Sequence, residues 1–515
     1  MTDTATTAPT PNNNNSSDDL NGQTFGNDYG IEEEQVIVKE NGNGKAKKKK
    51  KKNNNEEQSQ CKSKSKRPYP IYKYSKKGKG PLHEAVILTG LPVFLTYENG
   101  QIKPIPQIEE SSRIVVPPDP EEYPYEPYEF ESIDEVYSYK ERAISETITS
   151  LYQKTKAIVQ KYNDQDDYKL ILLSADIVWS YFEDKFSTTH YLCVVGDNGS
   201  GKSTVGDTFE ATGYRVVNMT DPSAANLFRV LGRIEVGQCT IVADEAEKID
   251  KLPEIMGVLK TGNQSKGKVP RMNMNIIKQE FFYTYCFKII IAERSPDQRN
   301  AKGVLDRTFI FTSYKGKPRY DIKVLNPAGD KKRQQLLNEL LDFRKLMLIY
   351  RLIHFKDAIA DIDIGLEGRD KELCKPTIQL FYNTSVQKEI EVALQKFVNL
   401  KNQRKENTIE AVLFPIIVNL VSLHGNEVYA SKIWEMITQD TSIQGKYDDR
   451  NPNDYQTCDY GTIHRNTITK LICDKFGAER SRKNNGAVLL FDKEKLLKVG
   501  NVYNIKSTIQ TTLSG

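Results

Sequence analysis

One octapeptide limits what this chain can fold into more than any other stretch: Gly196-Asp197-Asn198-Gly199-Ser200-Gly201-Lys202-Ser203, followed by Thr204. Its spacing is GxxxxGK[ST]. The apolar run Tyr191-Leu192-Cys193-Val194-Val195 before it reads as a buried strand, and Thr204 to Phe209 after it can open a helix. A strand, a tight glycine turn and a helix start bring backbone N–H groups together on an anion. The helix dipole adds to that attraction. The pattern predicts a phosphate-binding loop for ATP over residues 196–204, with Lys202 on the β- and γ-phosphates and Ser203 on Mg²⁺. A chance match is the alternative, and the strand before the motif argues against it.

At 515 residues the chain has room for about three domains. A formal charge of +4 makes it no polycation, so any nucleic-acid surface is local. There are seven cysteines and five histidines, with no CxxC pair, which argues against a disulfide framework or a zinc site. No apolar run approaches a membrane span and no secretion signal is visible, so a cytoplasmic location is expected.

Residues 1–80 read as a disordered Lys/Asn-rich tail, with Lys47 to Lys52 unbroken. The lysine run is a solvated tail, a phosphate contact or a nuclear import signal. Residues 82–116 read as a small β module, with Asn99-Gly100 as a hairpin turn. Residues 117–130, acidic and rich in Pro and Tyr, read as an extended linker. Residues 131–190 are mostly helical, and strands are expected at 191–195, 215–218, 239–243, 285–292 and 307–312. The ATPase core and its helical flank therefore span 131–325, as an α/β core with a mostly parallel sheet. A helical connector covers 326–405, with one long helix at 331–355.

The run Gln238 to Glu245 is a buried strand ending in two acids. Asp244 is expected near Mg²⁺, usually through water, and Glu245 orients and deprotonates the attacking water. That pair argues for hydrolysis rather than binding alone. Arg307, just before a core strand, is positioned to reach a γ-phosphate in its own or a neighbouring subunit. The alternative for Arg307 is an ion pair with Asp306.

Residues 165–325 resemble the AAA+-like ATPase core of plasmid- and virus-type replicative helicases, near superfamily 3. The pieces are LCVVGDNGSGKST, CTIVADEAEKI, LKTGNQSKGKVPRM, FKIIIAERSP and GVLDRTFIF, with GRDKELCKP at 368–376 beyond the core. The resemblance covers less than half of the chain. It implies a P-loop NTPase, a homo-oligomeric ring such as a hexamer, and DNA replication as the setting. It also implies a DNA-touching loop at 260–271, where Lys266, Lys268 and Arg271 would pair with phosphates; a solvated loop is the alternative. One departure is visible. Many AAA+ proteins end the strand after the acidic pair with a polar sensor, whereas here it runs into Ala292-Glu293-Arg294-Ser295. Glu293 or Ser295 would take that role, with Arg369 as a second sensor.

Residues 406–505 read as a winged-helix-like DNA-binding module. The expected helices are 406–423, a second capped by Ser431, and a third capped by Thr462 or Asn466 and ending at Gly477. A hairpin follows, turning at Asn484-Asn485-Gly486. Arg465 and Lys470, with His464 and Thr467, fall on the third helix, and Arg480, Arg482 and Lys483 on the wing, which suits DNA. The alternative is a module for protein contacts. The sequence thus points to a DNA-associated, helicase-like ATPase that hydrolyses ATP to move or remodel DNA; one alternative is an ATP-dependent DNA-binding switch or transcriptional regulator without unwinding, and another is a P-loop ATPase acting on protein partners.

Overall fold

The computed structural model describes residues 68–75, 80–111, 113–232, 239–273, 278–296, 298–324, 330–406, 409–439, 455–458, 461–484 and 486–502. The lysine run, Gln238, Asn485 and the tail up to residue 67 lie outside these described residues. All described residues belong to one unit, Ser65–Gly515.

The centre is a five-stranded, all-parallel sheet. In chain order its strands are Tyr191–Val195, Val216–Thr220, Thr240–Asp244, Lys288–Ala292 and Thr308–Thr312. Across the sheet the order is second, third, fourth, first, fifth. These are short, nearly continuous apolar runs, as strands covered on both faces must be. The protein is therefore mixed α/β. The expected strands are found, except that the one read at 285–292 starts only at Lys288.

Helix Lys202–Thr212 lies against this sheet, and Gly206 is what lets it approach. A Cβ there would sit 2.7 Å from Ile291 Cδ1 and 3.1 Å from Val242 Cγ1. Helix Asp167–Ser180 is buried from Lys169 to Ser180, with helix Ile148–Tyr162 and helix Gln387–Glu406 packed on it. The long helix Lys331–His354 packs on helix Ile133–Ser145. One apolar core joins all of these.

The N-terminal β sheet is larger than expected. Strands Lys73–Tyr74, His83–Leu88, Leu91–Glu98 and Gln101–Ile105 form an antiparallel sheet, and Glu129–Phe130 adds to it in parallel with His83–Leu88. The Asn99-Gly100 turn has both residues at positive φ, 53° and 78°, as a type I′ hairpin requires. Thr89-Gly90 makes a second such turn, with φ of 51° and 78°.

Two expectations are corrected here. Among the described residues, the first strand is Pro68–Pro70, inside the segment read as tail. The segment 117–130 is packed rather than extended into solvent: Tyr125 and Tyr128 are buried, and Arg344 from the long helix lies 4.8 Å over the Tyr128 ring and donates to the Glu126 carbonyl. Tyrosine rings among prolines and acids look soluble by composition, yet each ring hides a large apolar area once it finds a surface.

A buried ion network ties this sheet to the centre. Glu84 accepts from Arg215, which precedes the second core strand, and from Arg351 of the long helix at 2.7 Å. Arg351 also meets Asp184 at 2.7 Å, and Lys73 meets Asp184 at 2.7 Å. Tyr214 donates to Glu84 at 3.0 Å.

The C-terminal region has its own core, from helices Ile409–His424, Ala430–Gln439, Arg465–Phe476 and Lys493–Val502. A three-stranded antiparallel sheet of Glu427–Tyr429, Gly486–Leu490 and Glu479–Lys483 covers it. The expected caps differ. Ser431 lies inside its helix, which starts at Ala430. Thr462 lies in the strand Gly461–His464, and Asn466 is already helical. The hairpin Tyr455–Cys458 with Gly461–His464 was not foreseen. Gly477 does end its helix, at φ 69°.

Among the described residues no single helix is long and apolar enough to cross a membrane. The bent pair Gln387–Arg404 and Ile409–His424 passes by length and composition, but its halves meet at 62° and their apolar residues fill the two cores just described.

Candidate active-site cleft

In open parallel sheets, ligands gather outside the carboxyl ends of the strands. A cleft of about 950 Å³ opens at that edge here. Its walls carry Asn198, Gly199, Ser200, Gly201, Lys202, Ser203 and Thr204 from the first turn, and Asp244 and Glu245 from the end of the third strand. The two sequence motifs, about forty residues apart, thus share one cavity. Gly196 and Asp197 lead into it without bordering it.

The loop is shaped by its glycines and by one serine from the neighbouring strand. A Cβ on Gly196 would fall 2.5 Å from the Ser313 carbonyl oxygen and 2.6 Å from Ser200 Oγ. Only glycine lets the chain pass there. Gly199 and Gly201 have φ of 76° and 83°. The Ser313 hydroxyl donates to the Ser200 carbonyl at 2.7 Å, and Ser200 N–H donates to the Asp197 carbonyl at 3.1 Å. Gly201 caps helix Lys202–Thr212 without a side chain of its own, so the first helical N–H groups are left to whatever enters the cleft. Ser200 Oγ is buried with no protein partner. Lys202 Nζ reaches Asn198 Oδ1 at 3.3 Å.

On the facing strand, Glu245 N–H donates to Asp244 Oδ1 at 2.9 Å and Glu245 takes φ 52°. This left-handed turn reverses the chain at the strand end and leaves the Glu245 side chain exposed on the cleft. Asp221, at the end of the second strand, donates its N–H to the Asp244 carbonyl at 2.9 Å. Glu247 accepts from the Glu293 N–H at 3.2 Å. Of the two candidate sensors, Glu293 borders the cleft and Ser295 does not.

Sequence reasoning missed the far wall. It consists of Tyr162 to Gln165 and the segment 316–323 after the last strand, including Arg319, Tyr320 and Lys323. Gln165 clamps the two pieces together: its amide donates to the Tyr314 carbonyl at 2.9 Å and to Ser313 Oγ at 3.1 Å. No local motif marks these residues, since they meet only through the sheet. Behind the loop, burial pushes the Asp207 carboxyl up to about 6, although Lys323 at 3.5 Å pulls it down.

Arg307 is elsewhere. It precedes the fifth strand, at the amino end of the sheet, where its carbonyl accepts from Tyr191 N–H at 2.9 Å. Its Nε donates to Asn263 Oδ1 at 2.8 Å, and its guanidinium also meets the Gly303 carbonyl. It cannot reach this chain's own cleft from there. Asp306, the partner in the alternative reading, faces Arg369 at 3.5 Å. Arg369 also pairs with Glu372 and is likewise away from the cleft.

The basic segment 260–271 is a loop only over 262–267: helix Pro253–Thr261 ends in it, and from Lys268 it is the first strand of a β-hairpin. Lys268–Asn273 pairs with Lys278–Tyr283. Lys266, Lys268 and Arg271 are all exposed, but Lys268 and Arg271 lie on opposite faces. In the C-terminal region Lys470, Arg480 and Arg482 are exposed, Arg465 is half-buried, and Lys483 is paired with Glu427.

No protein-family profile matches the chain, and no curated protein matches it. Among solved structures, two titled as A-form apo structures of the NrS-1 C-terminal region are similar to it. The first has 10% identity and a TM-score of 0.31, covering 79% of this chain and 95% of that one. The second has 11% identity and a TM-score of 0.32, covering 79% and 96%. Scores this low assign neither a fold nor a function, so the functional reading rests on the residues.

Proposed function

We propose that this protein is a DNA-associated ATPase, helicase-like in class, that hydrolyses ATP in the cleft to move or remodel DNA. One observation carries the reading: a glycine loop with Lys202 and Ser203 faces Asp244 and Glu245 across one cavity at the carboxyl edge of a parallel sheet. The strand–loop–helix setting supports its reading as a P-loop.

The residues fit a magnesium nucleotide. The unpartnered Ser200 hydroxyl, the open N–H groups from Gly201 onward and the Lys202 ammonium form an anion cradle. Ser203 and Asp244, which both border the cleft, would supply hard oxygen ligands. Bound there, Mg²⁺ would neutralise charge on the β- and γ-phosphates. Glu245 is placed to orient a water and take its proton. Its backbone is held by Asp244 Oδ1, so the two acids have separate tasks: one carboxylate fixes the turn and the metal side, the other faces the water.

For DNA, the reading is supported by the exposed Lys266 and Lys268 on the hairpin and by Lys470, Arg480 and Arg482 on the C-terminal module, read as a winged helix. A ring assembly is part of the proposal, because Arg307 can serve a cleft only if that cleft belongs to a neighbouring copy. An ATP-dependent DNA switch without unwinding is the second reading, favoured by the acidic Glu293 where a neutral sensor is usual.

The test is ATP turnover by the full chain with and without single- and double-stranded DNA. DNA-stimulated turnover is expected. Turnover that ignores DNA at low salt would contradict the DNA-coupled reading, and strand displacement separates motor from switch.

A further inference from the structure

One serine holds the glycine loop at two places. Ser313 follows the fifth core strand and is 2% exposed. Its N–H donates to the Val195 carbonyl at 2.7 Å, where the loop begins. Its hydroxyl donates to the Ser200 carbonyl at 2.7 Å, inside the loop. Ser200 and Gly201 border the cleft, and Ser313 does not. In a trans peptide the carbonyl and the next N–H point in opposite directions. Gripping the Ser200 carbonyl from behind therefore turns the Gly201 N–H away from Ser313, toward the cleft.

A hydroxyl has one hydrogen to give, so its direction matters. Gln165 decides it. Gln165 Oε1 accepts from the Tyr314 N–H at 3.2 Å, which identifies the other end of the amide as its NH₂. That NH₂ donates to the Tyr314 carbonyl at 2.9 Å and to Ser313 Oγ at 3.1 Å. Oγ is an acceptor on that side, and its own hydrogen is left for Ser200. Each donor along the line from Gln165 through Ser313 to Ser200 strengthens the next. Glutamate at this position would have acceptors only. It would take the Ser313 hydrogen for itself and leave the Ser200 carbonyl without it.

We infer that Ser313 and Gln165 are positioning residues for the phosphate loop: Ser313 fixes the peptide plane that aims the Gly201 N–H, and Gln165 fixes the direction in which the Ser313 hydroxyl donates. The inference rests on the reading of the cleft as a nucleotide site, and deepens it. Both residues act through Ser200. An N–H aimed before the ligand arrives needs no reordering when the ligand binds. The clamp itself is anchored further along the chain. Asp164 Oδ2 accepts from the Lys317 N–H at 2.8 Å, and the Tyr320 N–H donates to the Lys161 carbonyl at 3.0 Å. Segment 313–320 is thus fastened to 161–165 over its length, which keeps Gln165 and Ser313 in register.

The experiment measures binding of a fluorescent ATP analogue with Mg²⁺, and ATP turnover. The proteins are the full chain, its Ser313→Ala, Gln165→Glu and Gln165→Met variants, and the double variant Ser313→Ala/Gln165→Glu. Ser313→Ala is expected to weaken binding about tenfold, as for a hydrogen bond that serves a charged group. It should leave kcat at saturating ATP within about threefold, because Asp244 and Glu245 stand on another strand. Gln165→Glu is expected to weaken binding more than Gln165→Met, although methionine removes all three amide bonds and glutamate keeps the one from Tyr314. A clamp that serves stability alone gives the reverse order. The double variant separates the relay from simple repulsion of phosphates: losses that combine less than additively support action through Ser313. Unchanged affinity in Ser313→Ala, the reverse order at Gln165, or fully additive losses would overturn the positioning role and leave the nucleotide reading standing. No nucleotide binding by wild type would overturn both. If Ser313→Ala does not fold, the order of the two Gln165 variants decides.

Discussion

Arg307 and Lys202 stand at opposite ends of one strand. The Arg307 carbonyl accepts from Tyr191 N–H at the strand's start, and its end, Val195, runs into the loop that carries Lys202. Five residues at about 3.3 Å each put roughly 15 Å of sheet between the two ends. A guanidinium side chain does not bridge that gap and turn the corner as well.

Arg307→Ala is therefore expected to leave nucleotide binding near wild type and to lower turnover by about a thousandfold. Mixing it with Lys202→Ala tests the arrangement. Each interface that joins an intact Lys202 to a neighbour's intact Arg307 recovers activity, so the mixture hydrolyses ATP although neither variant does. A mixture as inactive as its parts would assign Arg307 to structure, through Asn263 and Gly303.

Gly196→Ala introduces a methyl group 2.5 Å from a backbone oxygen that cannot yield. The expected result is a displaced loop and a loss of ATP affinity of at least tenfold, read by titration with a fluorescent nucleotide. Thermal stability should fall by only about 1–3 kcal/mol, the usual cost of overpacking.

Arg351→Met removes the cation that serves both Glu84 and Asp184. Leaving two buried carboxylates short of a partner costs about 3–5 kcal/mol, measured by urea unfolding at pH 7. The pH dependence has a definite sign. Burial alone would raise the Asp184 carboxyl, but Arg351 and Lys73 overturn this and hold it below the usual carboxylate range. A folded pKa below the unfolded one gives stability that is present above about pH 4 and lost as pH falls. The variant's deficit should thus hold from pH 7 down to about pH 4 and shrink only as pH falls below that.

Asp207 behaves in the opposite sense. Burial holds its carboxyl up at about 6 in the fold. The folded state then keeps a proton that the unfolded state has released, and stability falls as pH rises from about 4 to about 6. Asp207→Asn is expected to raise the Tm at pH 7.5 by a few degrees and leave it unchanged at pH 4. Equal shifts at both pH values would remove Asp207 from this account.

What the sequence disclosed was what short stretches encode. The glycine loop, the core strands, the Asn99-Gly100 turn and the long helix at 331–354 each follow from a few neighbouring residues. What it hid depends on register or on distant packing. Gln165 meets Ser313, 148 residues away, only once the chain packs. Arg307 is beside the first strand's start rather than its end because the fifth strand runs parallel to it. Tyr128 is buried because the sheet at 83–105 and the long helix offer it a surface, and Tyr125 because Tyr72, Tyr123 and the Arg215 guanidinium do. The far wall of the cleft, from Tyr162 to Gln165 and from Gly316 to Lys323, has no motif at all.

The central claim is that Lys202 and Glu245 belong to one hydrolytic site. The most direct measurement is magnesium-dependent ATP binding and hydrolysis by the full chain and by Lys202→Ala and Glu245→Gln. The account predicts that wild type hydrolyses ATP, that Lys202→Ala loses binding or turnover, and that Glu245→Gln binds ATP normally yet turns it over at least a hundredfold more slowly. Full turnover by Glu245→Gln, or no ATP binding by wild type, would contradict it.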